Sequence, residues 1–281
     1  MRLTTKIVIG IIISIFLLSL CFIIGVSFID TEKFERRFNV NQPSISQETI
    51  IAVDIEPYQT IWIDEEEYQE VKNIFLQGMI RINPVSKQED TNKLFMPEAL
   101  LQFVNIIYSS DTLIIRLKTD KLYERYVKNR EEASFFSNSF RIISGVNFFA
   151  HPNTVDIVCN VDRIKVDIRN ITTDKIRIQT VGDIEIDSCQ VEIIESYARK
   201  NWPSFLLKNS QVKELNIDLD QTGRSWKIEN CEIEVENLTG SGNHSVVLPK
   251  SEAKIMNWIP KDKDAKLTVT LYGDTARIVF P

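Results

Sequence analysis

Strict alternation of apolar and charged residues dominates the chain from about residue 140 onward. The runs RIKVDIRN (163–170), KIRIQTVGDIEIDS (175–188), ELNIDLD (214–220), CEIEVENL (231–238), KLTVTLYG (266–273) and ARIVF (276–280) set Ile and Val against Asp, Glu, Lys and Arg. Successive side chains of a strand point to opposite faces, so each run predicts a strand with one apolar and one charged face. Asn170, Gly182, Asn209, Gly223 and Gly240 punctuate the runs, as turn residues do.

The alternation also repeats. Apolar residues recur at 186, 207 and 228, and again at 191, 212 and 233. One predicted column holds Ile164, Ile184, Phe205 and Trp226, and the next holds Val166, Ile186, Leu207, Ile228 and Leu248. A corner column holds Ser188, Asn209 and Asn230, and beside it run Cys189, Ser210, Cys231 and Ser251. Hairpins of an antiparallel domain would alternate too, but their loops vary in length and give no reason for a fixed period. A coil stacked on the previous coil does give one, because each position then lies above its counterpart. We therefore expect an all-β chain built on a single-stranded, right-handed parallel β-helix over 151–281, with 20–21 residues per coil. At the strand spacing of about 4.8 Å this gives roughly six coils, about 30 Å tall.

The N-terminal half is less regular. Residues 49–55, 60–64, 71–85 and 111–119 read as strands, 93–108 as a segment that starts helical at Pro97, and 120–136 as a helix carrying Leu122, Tyr126 and Val127. We assign 49–150 to a β-rich cap region with that helix as an insertion, and 30–48 to a polar stalk. Residues 7–29 carry no charge over 23 positions. As a helix such a run spans about 34 Å, enough for the hydrocarbon core of a bilayer. It is expected to be an uncleaved anchor, with 1–29 forming a cytoplasmic tip and membrane helix and 30–281 lying outside the cytoplasm. A cleaved signal peptide and a lipoprotein cysteine at Cys21 are the competing readings.

Composition narrows function mainly by exclusion. The formal net charge of −6 gives no basic excess for nucleic acid. Four cysteines, at 21, 159, 189 and 231, form no CxxC pair and leave an odd number outside the anchor, so neither a zinc ribbon nor a disulfide framework is expected. The two histidines, His151 and His244, read as surface or turn residues. No nucleophile motif, P-loop or dinucleotide fingerprint appears.

The lead-in closing on SSDTLIIRLKT (109–119), together with TVGDIEID (180–187) and TGSGNHSVVL (239–248), resembles the adhesin-head GIN domain family. These are secreted or surface β-helical proteins frequent in Bacteroidetes. The resemblance covers most of 45–281 and is one of pattern, with Gly182-Asp183 and Gly240-Ser241-Gly242-Asn243 matching the family's turns. The chain departs from it in having only nine glycines, and in residues 120–150, which look inserted. The resemblance implies adhesion and supplies no catalytic residues.

Outward acids at 167, 183, 185, 187, 218, 232 and 234 are interleaved with Lys165, Arg169, Arg177 and Lys213. This mixture reads as a solvated face rather than a catalytic carboxylate pair. Tyr197, Trp202 and Trp258 lie near predicted linkers, where aromatic rings recognise sugars or protein partners. They are the candidate ligand-binding residues; no catalytic, metal or cofactor-binding residue is expected. The sequence thus predicts a non-catalytic, membrane-anchored extracytoplasmic module that binds a glycan or protein. A structural or regulatory envelope protein without a ligand is the alternative, and a carbohydrate-active enzyme the third reading.

Overall fold

The computed structural model describes residues 15, 19, 45–66, 74–84, 90–126, 140–151, 156–198, 204–221, 226–248 and 253–271. The chain separates into two units, 1–42 with 134–136, and 43–133 with 137–281. In the first unit only Ile15 and Ser19 are described; both are helical, and the Ser19 hydroxyl donates to the Ile15 carbonyl at 2.9 Å. The remainder of 7–29 lies outside the described residues, and among the described residues no helix is long and apolar enough to cross a membrane.

The second unit is almost entirely β. Its first strands are β1 (Ile50–Asp54), β2 (Thr60–Glu65), β3 (Ile74–Ile82), β4 (Lys93–Pro97), β5 (Val104–Ser109) and β6 (Thr112–Leu117). A 3-10 helix (Glu98–Phe103) follows Pro97, where the helical start was expected. Helix α1 (Thr119–Tyr126) buries Leu122; the rest of the expected helix, 127–136, lies outside the described residues. β7 (Phe140–Ala150) and β8 (Asp156–Cys159) lead into the repeating part.

That part pairs a strand of four to six residues with one of eight or nine. The pairs are β9 (Ile164–Arg169) with β10 (Thr172–Thr180), β11 (Ile184–Asp187) with β12 (Gln190–Ala198), β13 (Phe205–Lys208) with β14 (Gln211–Asp218), and β15 (Trp226–Glu229) with β16 (Glu232–Gly240). β17 (Asn243–Leu248), β18 (Ala253–Pro260) and β19 (Lys266–Leu271) complete the described chain. Like strands stack in parallel, giving a β-solenoid of about five turns where six were expected. One sheet has eight strands in the order β1-β4-β7-β3-β9-β11-β13-β15. The other has nine, ordered β18-β16-β14-β12-β10-β8-β2-β6-β5. Both sheets run unbroken across residue 150: β3 pairs with β9, and β2 with β8, so the lead-in and the repeat share one core.

The short strand meets the long one at a left-handed corner. Asn170, Ser188, Asn209 and Asn230 have φ of 55°, 57°, 50° and 53°. Asn tolerates this region because its short side chain bonds locally. The residue after each corner turns inward, and Ile171, Cys189, Ser210 and Cys231 are all buried.

Two columns differ from the sequence expectation. Ile184 stacks on Val166 rather than Ile164, and Ile186 on Ile168 rather than Val166. The first corner step, Asn170 to Ser188, is 18 residues, whereas the next two are 21. The turn after β10 is tight because Gly182 lies against the Ile164 backbone; a Cβ there would sit 2.0 Å from the Ile164 carbonyl oxygen. From β11 onward the expected registers hold: Ile184 faces Phe205, Phe205 faces Trp226, and Leu207 lies between Ile186 and Ile228. Leu248 leaves its expected column. β17 finds a six-residue parallel ladder with β19, in which Leu248 faces Leu271, instead of the four-residue edge of β15. Ser251 lies outside the described residues.

Candidate binding face

Each outward face of the solenoid is a set of rows, one residue per strand, at steps of about 4.8 Å. The two faces are finished differently. On the eight-stranded sheet the outward charges are paired with one another. Arg81 Nη2 lies 2.7 Å from Asp167 Oδ2, Arg169 Nε donates to Asp167 Oδ1 at 2.8 Å, and Lys208 Nζ reaches Glu185 Oε1 at 2.6 Å. Lys165 also bonds Glu185. Burial works to raise the Glu185 pKa, but the hydrogen bonds from Lys165 and Lys208 outweigh it and hold the carboxyl at about 2. The sequence reading of a solvated mixed-charge face is therefore corrected for Asp167, Glu185 and Asp218. All three are buried and ion-paired, because stacking brings opposite charges from neighbouring turns within reach.

The nine-stranded sheet carries an apolar row. Ile107 of β5 faces Ile114 of β6, Ile114 faces Trp62 of β2, Trp62 faces Val158 of β8, Val158 faces Gln179 of β10, and Gln179 faces Tyr197 of β12. Ile107 and Trp62 are each 37 % exposed and Tyr197 36 %, so the row is open at both ends and in its middle. Three strand steps, roughly 14 Å, separate Trp62 from Tyr197. Ile61 and Ile63 on either side of Trp62 are fully buried, which fixes the indole on the outer side of the sheet.

A polar row runs beside it through Thr112, Thr60, Asp156, Arg177, Glu195, Asn216, Asn237 and Asn257. Arg177 bridges Asp156 Oδ2 at 3.3 Å and Glu195 Oε2 at 3.1 Å. Burial tends to raise the Glu195 pKa, but the Lys175 and Arg177 hydrogen bonds lower it overall. Further along, amides form a ladder: Asn257 Nδ2 donates to Asn237 Oδ1 at 2.8 Å, and Asn237 Nδ2 to Asn216 Oδ1 at 2.9 Å. The row thus sets hydroxyl, carboxylate and guanidinium groups beside the rings, and its amides carry it on past Tyr197 to β18.

The three residues singled out in the sequence separate. Tyr197 ends the apolar row. Trp258 does not join it; it faces Leu238 in an inward column, is packed against the core, and meets the His244 ring edge-on at 6.1 Å between centroids. Trp202 lies outside the described residues. Trp62 was missed, although its signal was present: an aromatic at the polar parity of an alternating strand, Thr60-Ile61-Trp62-Ile63-Asp64.

His244 belongs to a closed polar corner rather than a loose turn. Its Nε2 lies 2.9 Å from Asp220 Oδ1, and Lys261 reaches Asp218 at 2.5 Å and Asp220 at 3.0 Å. Burial acts to raise the Asp220 pKa; bonds from the Ser241 N–H, Lys261 and His244 bring it down to about 2. Gly240 leaves room for that ring: a Cβ there would sit 2.7 Å from His244 Nε2, and the imidazole would have to shift. Among the described residues no group of three His, Cys, Asp or Glu side chains is placed to hold a metal ion.

No family model matches the chain, and no curated protein does. Two solved structures align along most of its length. A "putative lipid binding protein" from Parabacteroides distasonis is 10 % identical, covering 82 % of this chain and 98 % of its own, with a TM-score of 0.34. A "putative adhesin" from Parabacteroides merdae is 9 % identical, covering 83 % and 98 %, with a TM-score of 0.26. Both likenesses are too distant to carry an argument about this chain, and the adhesin-head resemblance rests on sequence pattern alone.

Proposed function

We propose that this chain is a non-catalytic envelope module that binds an extended glycan across the nine-stranded sheet. The observation that carries the reading is the unbroken outward row from Ile107 through Trp62 to Tyr197 beside a row of fixed polar groups. Indole and phenol faces stack on the C–H faces of sugar rings, while amides and hydroxyls bond sugar hydroxyls. Five strand steps give a track about 24 Å long, and the strand spacing of about 4.8 Å is close to the scale of one sugar ring. A shallow face binds weakly per molecule, so useful strength comes from many copies on one surface.

The uncharged run 7–29 fits a single-pass anchor, with the solenoid wound in the right-handed sense and facing away from the cytoplasm. Alkaline extraction of membranes tests the anchor: release of the full chain would argue for a cleaved or absent membrane segment. The adhesin-head family remains the best pattern for the whole. A protein partner is the second reading, favoured by Ile255 and Ile259, which are 54 % and 48 % exposed on edge strand β18. A glycan array probed with wild type and Trp62→Ala/Tyr197→Ala separates these readings. Signals lost in the variant support the glycan track; signals unchanged in the variant would place binding elsewhere.

A further inference from the structure

Glu236 points into the core. It faces Leu215 of β14 on one side and Met256 of β18 on the other, in an inward column that continues through Ile194 and Ile176. Its residue is 1 % exposed. Among the described residues its Oε1 has no hydrogen-bond partner. A charge at such a position costs far more than a neutral carboxyl, whose proton can be shared or shielded. The site lies at an end of the solenoid: β15 is the last strand of one sheet and β18 of the other.

We propose that Glu236 is a proton-operated latch: protonated, it lets β16 and β18 close on β14, and ionised, it loosens that end of the solenoid. Among the described residues the neighbouring elements place no compensating charge in the inward column. Lys213, Glu214 and Asp218 on β14, Lys227 and Glu229 on β15, Lys254 on β18, and Glu232 and Glu234 on β16 itself all take outward positions or lie beyond the inward column. His244 of β17 is engaged with Asp220 at the outer corner. Burial pushes the carboxyl up to about 7, with the Trp226 side chain acting the other way. The folded pKa lies above the ordinary carboxyl value of 4.5, so tight packing is fully present below about 4.5 and is lost as pH rises through about 7. Glu65 on β2 is also pushed to about 7, by burial and then by Asp64 and Asp162, but it acts equally in any Glu236 variant.

Hydrogen exchange on the full chain in mild detergent, with protection factors corrected for intrinsic rates, tests the latch at pH 5 and pH 8. In wild type, protection of β16 and β18 should fall about tenfold or more relative to β10 and β12. In Glu236→Gln that relative fall should vanish. Should the Gln variant show no protection in β10 and β12, Glu236→Met, matching Met256 in the same column, takes its place with the same flat response expected. An equal fall in wild type and variant, or no fall in wild type, overturns the proposal.

Discussion

Trp62 and Tyr197 stand in one outward row of the nine-stranded sheet, separated only by Val158 and Gln179. They lie 135 positions apart in sequence. β2 comes from the irregular lead-in and β12 from the repeating part, so the row exists only because both feed one sheet. The packing that builds the sheet and the face it presents outward can be tested separately.

Leu207 tests the inward columns. It is fully buried between Ile186 and Ile228. Leu207→Ala should lower the free energy of unfolding by about 2–5 kcal/mol, the usual cost of a core cavity. Chemical denaturation measures this, and a loss as small as that of an exposed site would contradict the register.

The corner column makes a different kind of prediction. Asn209 has φ of 50°, and its Nδ2 donates to Asp187 Oδ1 at 2.9 Å. Asn209→Gly should be tolerated within about 1 kcal/mol, since glycine adopts this backbone freely. Asn209→Val, β-branched and without a donor, should cost about 2 kcal/mol or more. Equal thermal shifts for the two variants would mean that the corner is not held in the left-handed region.

Acid sensitivity should trace to the Glu185 cluster. Its carboxyl ionises at about 2 in the fold against an ordinary 4.5. The ion pairs with Lys165 and Lys208 therefore stabilise the fold above about pH 4.5, and that contribution is lost as pH falls through about 2. Glu185→Gln should flatten the decline in denaturation midpoint between pH 4.5 and 2. A decline as steep as wild type would assign acid unfolding to other carboxylates.

The thiols should be silent. Cys159, Cys189 and Cys231 are buried, and among the described residues none forms a disulfide. Burial drives the Cys159 thiol up to about 12 and raises Cys189 as well, so little thiolate is present at neutral pH. Two turns separate Cys189 from Cys231, with Ser210 between them; its hydroxyl accepts the Cys189 N–H at 3.0 Å. A thiol-reactive dye at pH 8 should label none of the three in folded residues 30–281, and all three after denaturation. A 189–231 disulfide found by mass spectrometry would break the stacking.

The stacked part of the fold was legible because its physics is local and periodic. Alternation names the buried face, and a fixed period near 21 residues names the stacking partner, as Ile186, Leu207 and Ile228 show. The register failed where loop length changed. Nothing in the letters of Val181-Gly182-Asp183 says that this coil is three residues shorter, corner to corner, than its successors, and the Gly182 approach to Ile164 appears only once coils are stacked. The binding face was half legible. Tyr197 is legible by its aromatic ring near a linker; Trp258 carries the same mark yet packs inward against His244 and Leu238, and Trp62 lies in mid-strand, away from any linker. Rows crossing six strands draw on residues from 62 to 197 in shuffled order, and only the sheet order places them side by side.

The glycan track is tested most directly by affinity electrophoresis of residues 30–281 through gels containing each polysaccharide retained on the array. Trp62→Ala and Tyr197→Ala should each weaken retardation about tenfold, together abolish it, and leave the melting temperature within about 3 °C of wild type, since both rings are outward and partly exposed. Retardation of the double variant equal to wild type, or no retardation of wild type by any extended polysaccharide, would contradict the account.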